Sequence, residues 1–349
     1  MYIYVCNLAA KDLSEKKELS KMIKYKNKCT FVEQYSRPDR VINANSPELM
    51  FVSAMSRGDA DAAAGLFHET KLFGAPPVVD SPHGRFTGRD AIKKFAEDWL
   101  DSFHATNAFV IPVVQTTAGG RSVTEMVVGF NVDGEYLRIP MSCVADLRKN
   151  GFADEIRIYF HYLHSPGFKA YRPPIYQPSF NIHGEYNLLT GAFGEYYKCL
   201  HERQVDKMLA VFNENLCFGG YTPEEVDPMK KNYSTIHEEY ERVLARVPAV
   251  ETVRFEAVID DGVTSVIEWT LVVTDLGRKK YNRVYQAGIA AYERGPDDKI
   301  MSVRICDYMD REDDIDPELR AKIVEENAKY EFLAKLPTPP AEGLLEPSK

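Results

Sequence analysis

The chain nearly repeats itself. Gly58-Asp59-Ala60-Asp61 followed by Gly65-Leu66-Phe67 resembles Gln204-Val205-Asp206 followed by Ala210-Val211-Phe212. Val123-Thr124-Glu125-Met126 resembles Val266-Ile267-Glu268-Trp269, and Ile158-Tyr159-Phe160-His161-Tyr162 resembles Arg304-Ile305-Cys306-Asp307-Tyr308. Asp61 and Asp206, Glu125 and Glu268, and Tyr162 and Tyr308 lie 145, 143 and 146 residues apart. Three separated matches in almost one register point to two copies of one unit. A length of 349 residues has room for both.

Each half carries the same order of elements. A first helix is predicted over about 46–68 and again over 186–213, where Leu189, Phe193, Tyr196 and Leu200 recur at helical spacing. A short strand follows, then a second helix marked by Ile92, Phe95, Trp99 and Phe103, or by Ile236, Tyr240, Val243 and Val247. Three or four long alternating strands complete each half, joined at turns such as Asp133-Gly134 and Asp275-Leu276-Gly277. Helices first and an antiparallel meander afterwards make an α+β fold, with helices on one face of a curved sheet. Pro166, Pro173, Pro174 and Pro178 break regular structure between the halves. The boundaries that follow are an N-terminal extension 1–45, a first domain 46–165, a Pro-rich linker 166–184, a second domain 185–310 and a C-terminal helix and tail 311–349.

The extension carries 9 Lys and Arg against 5 Asp and Glu, and residues 310–349 carry 6 against 11. Both ends read as solvated arms of opposite charge, with mutual docking as the alternative. A net charge of −9 argues against nucleic acid. The basic run Arg278, Lys279, Lys280, Arg283 reads as a solvated hairpin edge. Lysines follow the apolar first residues rather than precede them, the wrong order for a signal peptide, and no apolar run approaches membrane-span length. The six cysteines form no C-x-x-C pair and read as reduced thiols, so the expectation is a cytoplasmic protein. The 20 tyrosines suit either a pocket lined with hydroxyl-bearing rings or half-buried strands.

Gly58-Asp59-Ala60-Asp61 through Phe67, Gly84-Arg85-Phe86-Thr87-Gly88-Arg89-Asp90-Ala91-Ile92, Val266-Ile267-Glu268-Trp269 and Asp307-Tyr308-Met309-Asp310, in this order, resemble the nuclear transport factor 2-like superfamily and its SnoaL-like branch. The resemblance covers about 46–165 and 185–310. It implies two tandem cone-shaped α+β barrels, each a bent sheet round a helix with an apolar cavity open at one end. It also implies sheet-to-sheet pairing, here as an internal pseudo-dimer, with further homo-oligomerisation left open. Ketosteroid isomerase, scytalone dehydratase and polyketide cyclases belong to this group alongside non-catalytic binders, so the fold leaves the chemistry open. Its enzymes move protons without metal or organic cofactor, and none is expected here.

Carried over residue by residue, the isomerase pattern places Tyr196 at its first-helix tyrosine and Phe51 at the equivalent of the other half. Its base falls near Ala75 and Gly220, so the carboxylate is missing from both. The dehydratase pattern places His104 where the chain leaves the second helix, as an acid/base group or a helix-capping residue. Its carboxylate falls near Ser56, with His201 as the counterpart in the second half and Ala249-Val250 opposite His104. Asp80 and His83 precede Gly84 in a loop and either supply the missing carboxylate or make a turn, the favoured reading. Glu125 and Glu268 are bases if they point inward and the polar half of strand alternation if they point outward, the favoured reading. Tyr197 and His201 share a helix face. Trp99 and Tyr162 in the first half, and Tyr197, Trp269 and Tyr308 in the second, are the expected ring-bearing contacts of a ligand. His161 and His164, three apart on a strand, point to opposite faces, and no metal is assigned.

Phosphate loops, nucleophile elbows and H-E-x-x-H are lacking. Two functions remain. One is a cofactor-independent dehydratase or isomerase on a small, largely apolar polycyclic, polyketide-like or steroid-like molecule, with His104 principal and Asp80 or a tyrosine as helper. The other is a small-ligand-binding or assembly module without turnover.

Overall fold

The computed structural model describes residues 31–68, 74–160, 189–220, 237, 238, 241, 249–274 and 284–306. Helix α1 (Phe31–Tyr35) precedes α2 (Pro47–Ser56), α3 (Ala60–Gly65), strands β1 (Val78–Ser81) and β2 (Gly84–Thr87), α4 (Arg89–Glu97) and α5 (Trp99–Ser102). Four long strands follow: β3 (Asn107–Ala118), β4 (Arg121–Val132), β5 (Glu135–Leu147) and β6 (Ala153–Tyr159). The second half runs α6 (Gly191–His201), α7 (Val205–Ala210), β7 (Phe212–Gly220), β8 (Ala249–Asp260), β9 (Thr264–Thr274), β10 (Val284–Arg294) and β11 (Ile300–Cys306).

The strands form two sheets, in the orders β2-β1-β6-β5-β4-β3 and β7-β11-β10-β9-β8. In each, the first long-range pairing is parallel (β1 with β6, β7 with β11) and the meander is antiparallel. The architecture is α+β with two mixed sheets. Gly119-Gly120 and Asp133-Gly134 join the first meander, and all four residues have positive φ, as two-residue hairpin turns matched to strand twist require.

The long first helix predicted over 46–68 is instead α2 and α3, broken at Gly58 (φ 73°) and Asp59. Asp59 caps α3 by accepting from the Ala62 N–H at 3.0 Å, so the Gly-Asp pair is a stop and a restart rather than helix interior. The second half breaks between α6 and α7 at Arg203 (φ 58°). The second helix of the first half likewise divides into α4 and α5 at Asp98. The linker 166–184, the residues 311–349, the basic run near 280 and most of the predicted helix over 236–247 lie outside the described residues.

Alternation along the strands divides the core into three clusters. Met126, Val128 and Phe130 of β4 point under α2–α5, and Ile267 and Trp269 of β9 pack with α6 and α7. The opposite faces of both sheets meet each other, with Val123, Val127 and Val144 against Val266, Ile289 and Ala291. Phe31 and Tyr35 of α1 are buried in this third cluster, so residues 31–45 are not the solvated arm read from their charge. Arg37 pairs with Glu293 at 2.8 Å, Arg40 pairs with Asp261 at 2.5 Å, and the Asn43 N–H donates to Gln115 Oε1 at 2.8 Å. A short apolar helix flanked by arginines binds the junction, and the apolar face outweighs the lysine count of the whole extension.

Glu125 and Glu268 settle on this junction too. The Arg157 guanidinium donates to both oxygens of Glu268 at 2.7 and 2.8 Å, and Arg304 donates to both oxygens of Glu125 at 2.8 and 2.7 Å. All four are buried. Each arginine also reaches a carboxylate of its own sheet, Arg157 to Asp146 at 2.9 Å and Arg304 to Glu293 at 3.5 Å. The glutamates do point outward from the helix-covered faces, but the outward face is an interface rather than solvent. Burial works to raise the Asp146 carboxyl, yet Arg157 and Arg121 outweigh it and hold it below the usual carboxylate range.

Candidate active site

Phe95, Trp99 and Phe103 stand four apart and keep one face across the α4–α5 break. The Trp99 ring lies 5.6 Å from Phe95 and 5.1 Å from Phe103. Phe130 of β4 stacks on Phe103 at 3.9 Å, and Phe160, just beyond β6, stands edge-on to Trp99 at 6.0 Å. All five are buried.

One polar ring enters this box. Pro82 and His83 form the two-residue turn between β1 and β2, with Ser81 opposite Gly84. The Ser81 hydroxyl accepts from the His83 N–H at 3.1 Å and fixes the turn. The turn aims the imidazole at Phe103 and Phe160 (5.7 Å each), Trp99 (5.9 Å) and Phe95 (6.4 Å). The surrounding rings strip water from it, and that desolvation lowers its pKa to about 4. Yet His83 as a residue stays exposed, so the rings cover the imidazole from one side and its desolvation is one-sided. At neutral pH the site therefore holds an uncharged imidazole against apolar walls.

The residues favoured from sequence fall elsewhere. His104 is exposed and has φ 53°. Its N–H donates to the Asp101 carbonyl at 2.9 Å while the Ala105 N–H donates to Leu100 at 3.0 Å, the paired bonds of a left-handed helix ending. Its place is explained by its backbone, and Phe103 beside it faces the box. Asp80 is buried on the opposite face of β1 from Val79 and Ser81, where it accepts from Arg85 Nη1 at 3.3 Å and is in register with Arg157. The structure does not bring Asp80 and His104 together.

In the second half, Tyr196 and Tyr197 are both buried, 5.1 Å apart, and the Tyr197 and Tyr292 hydroxyls bond each other at 2.8 Å. Trp269 packs over Gly288, where a Cβ would come within 2.5 Å of the indole. His201 ends α6, and its side chain, like Tyr162, Tyr308, His161 and His164, lies outside the described residues. Among the described residues no cluster of three His, Cys, Asp or Glu side chains is arranged to hold a metal, and no helix is long and apolar enough to cross a membrane.

Sequence reasoning named His83 only as a secondary candidate. The signal for it was the four-residue spacing of Phe95, Trp99 and Phe103, which makes a ring wall that needs something to face. Arg157 and Arg304 were missed outright, although Glu-Ile-Arg-Ile-Tyr and Ser-Val-Arg-Ile-Cys set an arginine into equivalent apolar strands.

No family model and no curated protein matches the sequence. Solved structures do. An NTF2-like protein of unknown function from Cytophaga hutchinsonii shares 17% identity over 35% of this chain and 93% of its own, at a TM-score of 0.25. A putative polyketide cyclase from Sinorhizobium meliloti shares 19% over 32% and 92%, at 0.26. An epoxide hydrolase/cyclase-like enzyme of pyran ring formation in the polyether salinomycin shares 20% over 34% and 88%, at 0.26.

Proposed function

We propose that the chain is two tandem cones joined as an internal pseudo-dimer, and that the first cone is a cofactor-independent acid/base site for a small, largely apolar molecule. The tandem reading is supported by the shared strand order and by the reciprocal Arg157–Glu268 and Arg304–Glu125 pairs across the junction. The functional reading is carried by one observation, the His83 imidazole aimed from a fixed turn into a box of aromatic rings. A neutral imidazole there can take a proton from a substrate carbon or hydroxyl and return it elsewhere, which is isomerisation, or deliver it to a departing hydroxide, which is dehydration. The test is a screen of uncharged ring compounds against the Trp269→Phe protein, in which Trp99 is the remaining tryptophan and reports occupancy by its fluorescence. Compounds that bind are then followed for conversion by mass spectrometry. His83→Gln should cut conversion about 10²–10⁴-fold while the melting temperature stays within a few degrees. Conversion that survives His83→Gln sinks the catalytic role.

A second reading, binding without turnover, draws on the same low pKa. An imidazole that resists protonation is a weak base, and proton transfer is most effective when the pKa lies near the working pH. Ligands that occupy the box and leave unchanged would favour it.

A further inference from the structure

Trp99 carries an unanswered polar atom. The residue is 1% exposed, and its indole Nε1 is buried with no hydrogen-bond partner. An indole N–H sealed from water without an acceptor is a cost that folding does not recover, and buried tryptophans usually find a partner. The described phenyl rings around it supply no oxygen or nitrogen lone pair. Phe95, Phe103, Phe130 and Phe160 offer no acceptor, and His83 meets the indole edge-on with centroids 5.9 Å apart.

We infer that the Trp99 N–H is the polar anchor of this site, and that its ligand is an uncharged, flat molecule presenting a carbonyl or ether oxygen to it. The inference rests on the reading of the aromatic box as a ligand site. Among the described residues the rings around Trp99 are four phenyls and an imidazole, which cannot solvate a carboxylate or supply its counter-charge, so an anion against them would be desolvated without compensation. A cation would find ring faces but has no lone pair for the N–H. A neutral acceptor satisfies both the walls and the donor. The oxygen held by Trp99 would then orient the ring system against His83, which makes Trp99 a determinant of specificity rather than part of the wall alone.

The test compares four probes of one shape on the full chain: indane, 1-indanone, indane-1-carboxylate and 1-aminoindane. Equilibrium dialysis gives their affinities. The ¹⁵N–¹H spectrum gives the two indole signals, assigned with Trp269→Phe. 1-Indanone should bind about tenfold tighter than indane. It should also shift the Trp99 indole proton downfield, and indane should not. Both charged probes should bind more weakly than 1-indanone. In Trp99→Phe the indanone preference should fall to about onefold. The wild-type comparison needs no variant, so a Trp99→Phe protein that misfolds does not remove the test. Equal affinities for indane and 1-indanone, or an unmoved indole proton with indanone bound, would overturn the anchor while leaving the site reading intact. A charged probe binding tightest would overturn the ligand class. If the wild-type chain binds none of the four, the site reading falls and the inference with it.

Discussion

His83 and His104 lie at the ends of two tight turns, and the physics of each turn decides what its histidine does. His104 occupies a left-handed position at a helix end, where glycine is the residue with least strain. His104→Gly should therefore leave activity unchanged and raise stability by up to about 1 kcal/mol, read from urea midpoints. A loss of conversion in that variant would restore His104 to the site. For His83 the sign of the pH dependence follows from its environment. Its folded pKa of about 4 lies below the value of about 6.5 for an unfolded histidine, so between those values the unfolded chain binds more protons. Stability should fall as pH drops from about 6.5 toward 4, and His83→Gln should flatten that part of the urea profile. The exposed side of the residue makes the slope shallower than for a sealed imidazole. Conversion that uses the neutral ring should rise through about pH 4 and stay level to neutrality. Sequence placed both histidines in loops near the right elements. It did not show which ring turned inward, because a turn's dihedrals rather than its composition aim the side chain. Position His104 was explained by the backbone, and position His83 by rings distant in sequence.

At the scale of elements, the strands were more legible than the helices. Alternation and the Asp133-Gly134 turn marked long strands joined by a tight turn in the first meander, because period two and a positive-φ pair are local signals. The helices were read too long, since the apolar spacing of 46–68 continues across Gly58-Asp59 while the backbone stops and restarts there. That restart is testable. Asp59→Ala removes the acceptor for the Ala62 N–H and should cost about 0.5–2 kcal/mol in urea unfolding, with no change in ligand affinity. The cross-strand glycines show a different constraint. Gly129 lies under Phe109 and Gly288 under Trp269, and a Cβ at either would come within 2.2 or 2.5 Å of the ring. Gly288→Ala should displace Trp269, lower the melting temperature and shift the Trp269 emission while leaving that of Trp99 in place.

For the whole molecule, three matches held in a register of 143 to 146 residues were the plainest pattern in the sequence. Sheet-to-sheet pairing was expected, but not which charged residues would lie where the two sheets meet. The reason is that an arginine within a strand looks like alternation until a second sheet covers it. Arg304 and Glu125 are both buried and bidentate, so removing one partner takes the bidentate counter-charge from the other. Arg304→Met should cost about 3–5 kcal/mol, whereas adding Glu125→Leu to it should recover most of the loss, since a well-packed apolar pair is often as stable as a buried ion pair. The Arg157–Glu268 pair should recover less. Asp146 beside Arg157 keeps Arg121 and Glu293 beside Arg304 keeps Arg37, but Glu268 also accepts from the Tyr159 hydroxyl at 2.6 Å, so an apolar replacement there takes the carboxylate from a buried donor. Urea unfolding of the two double variants checks the difference. If both doubles recover equally, the polar groups around Arg157 are answered by water, and the junction is held by its apolar residues alone.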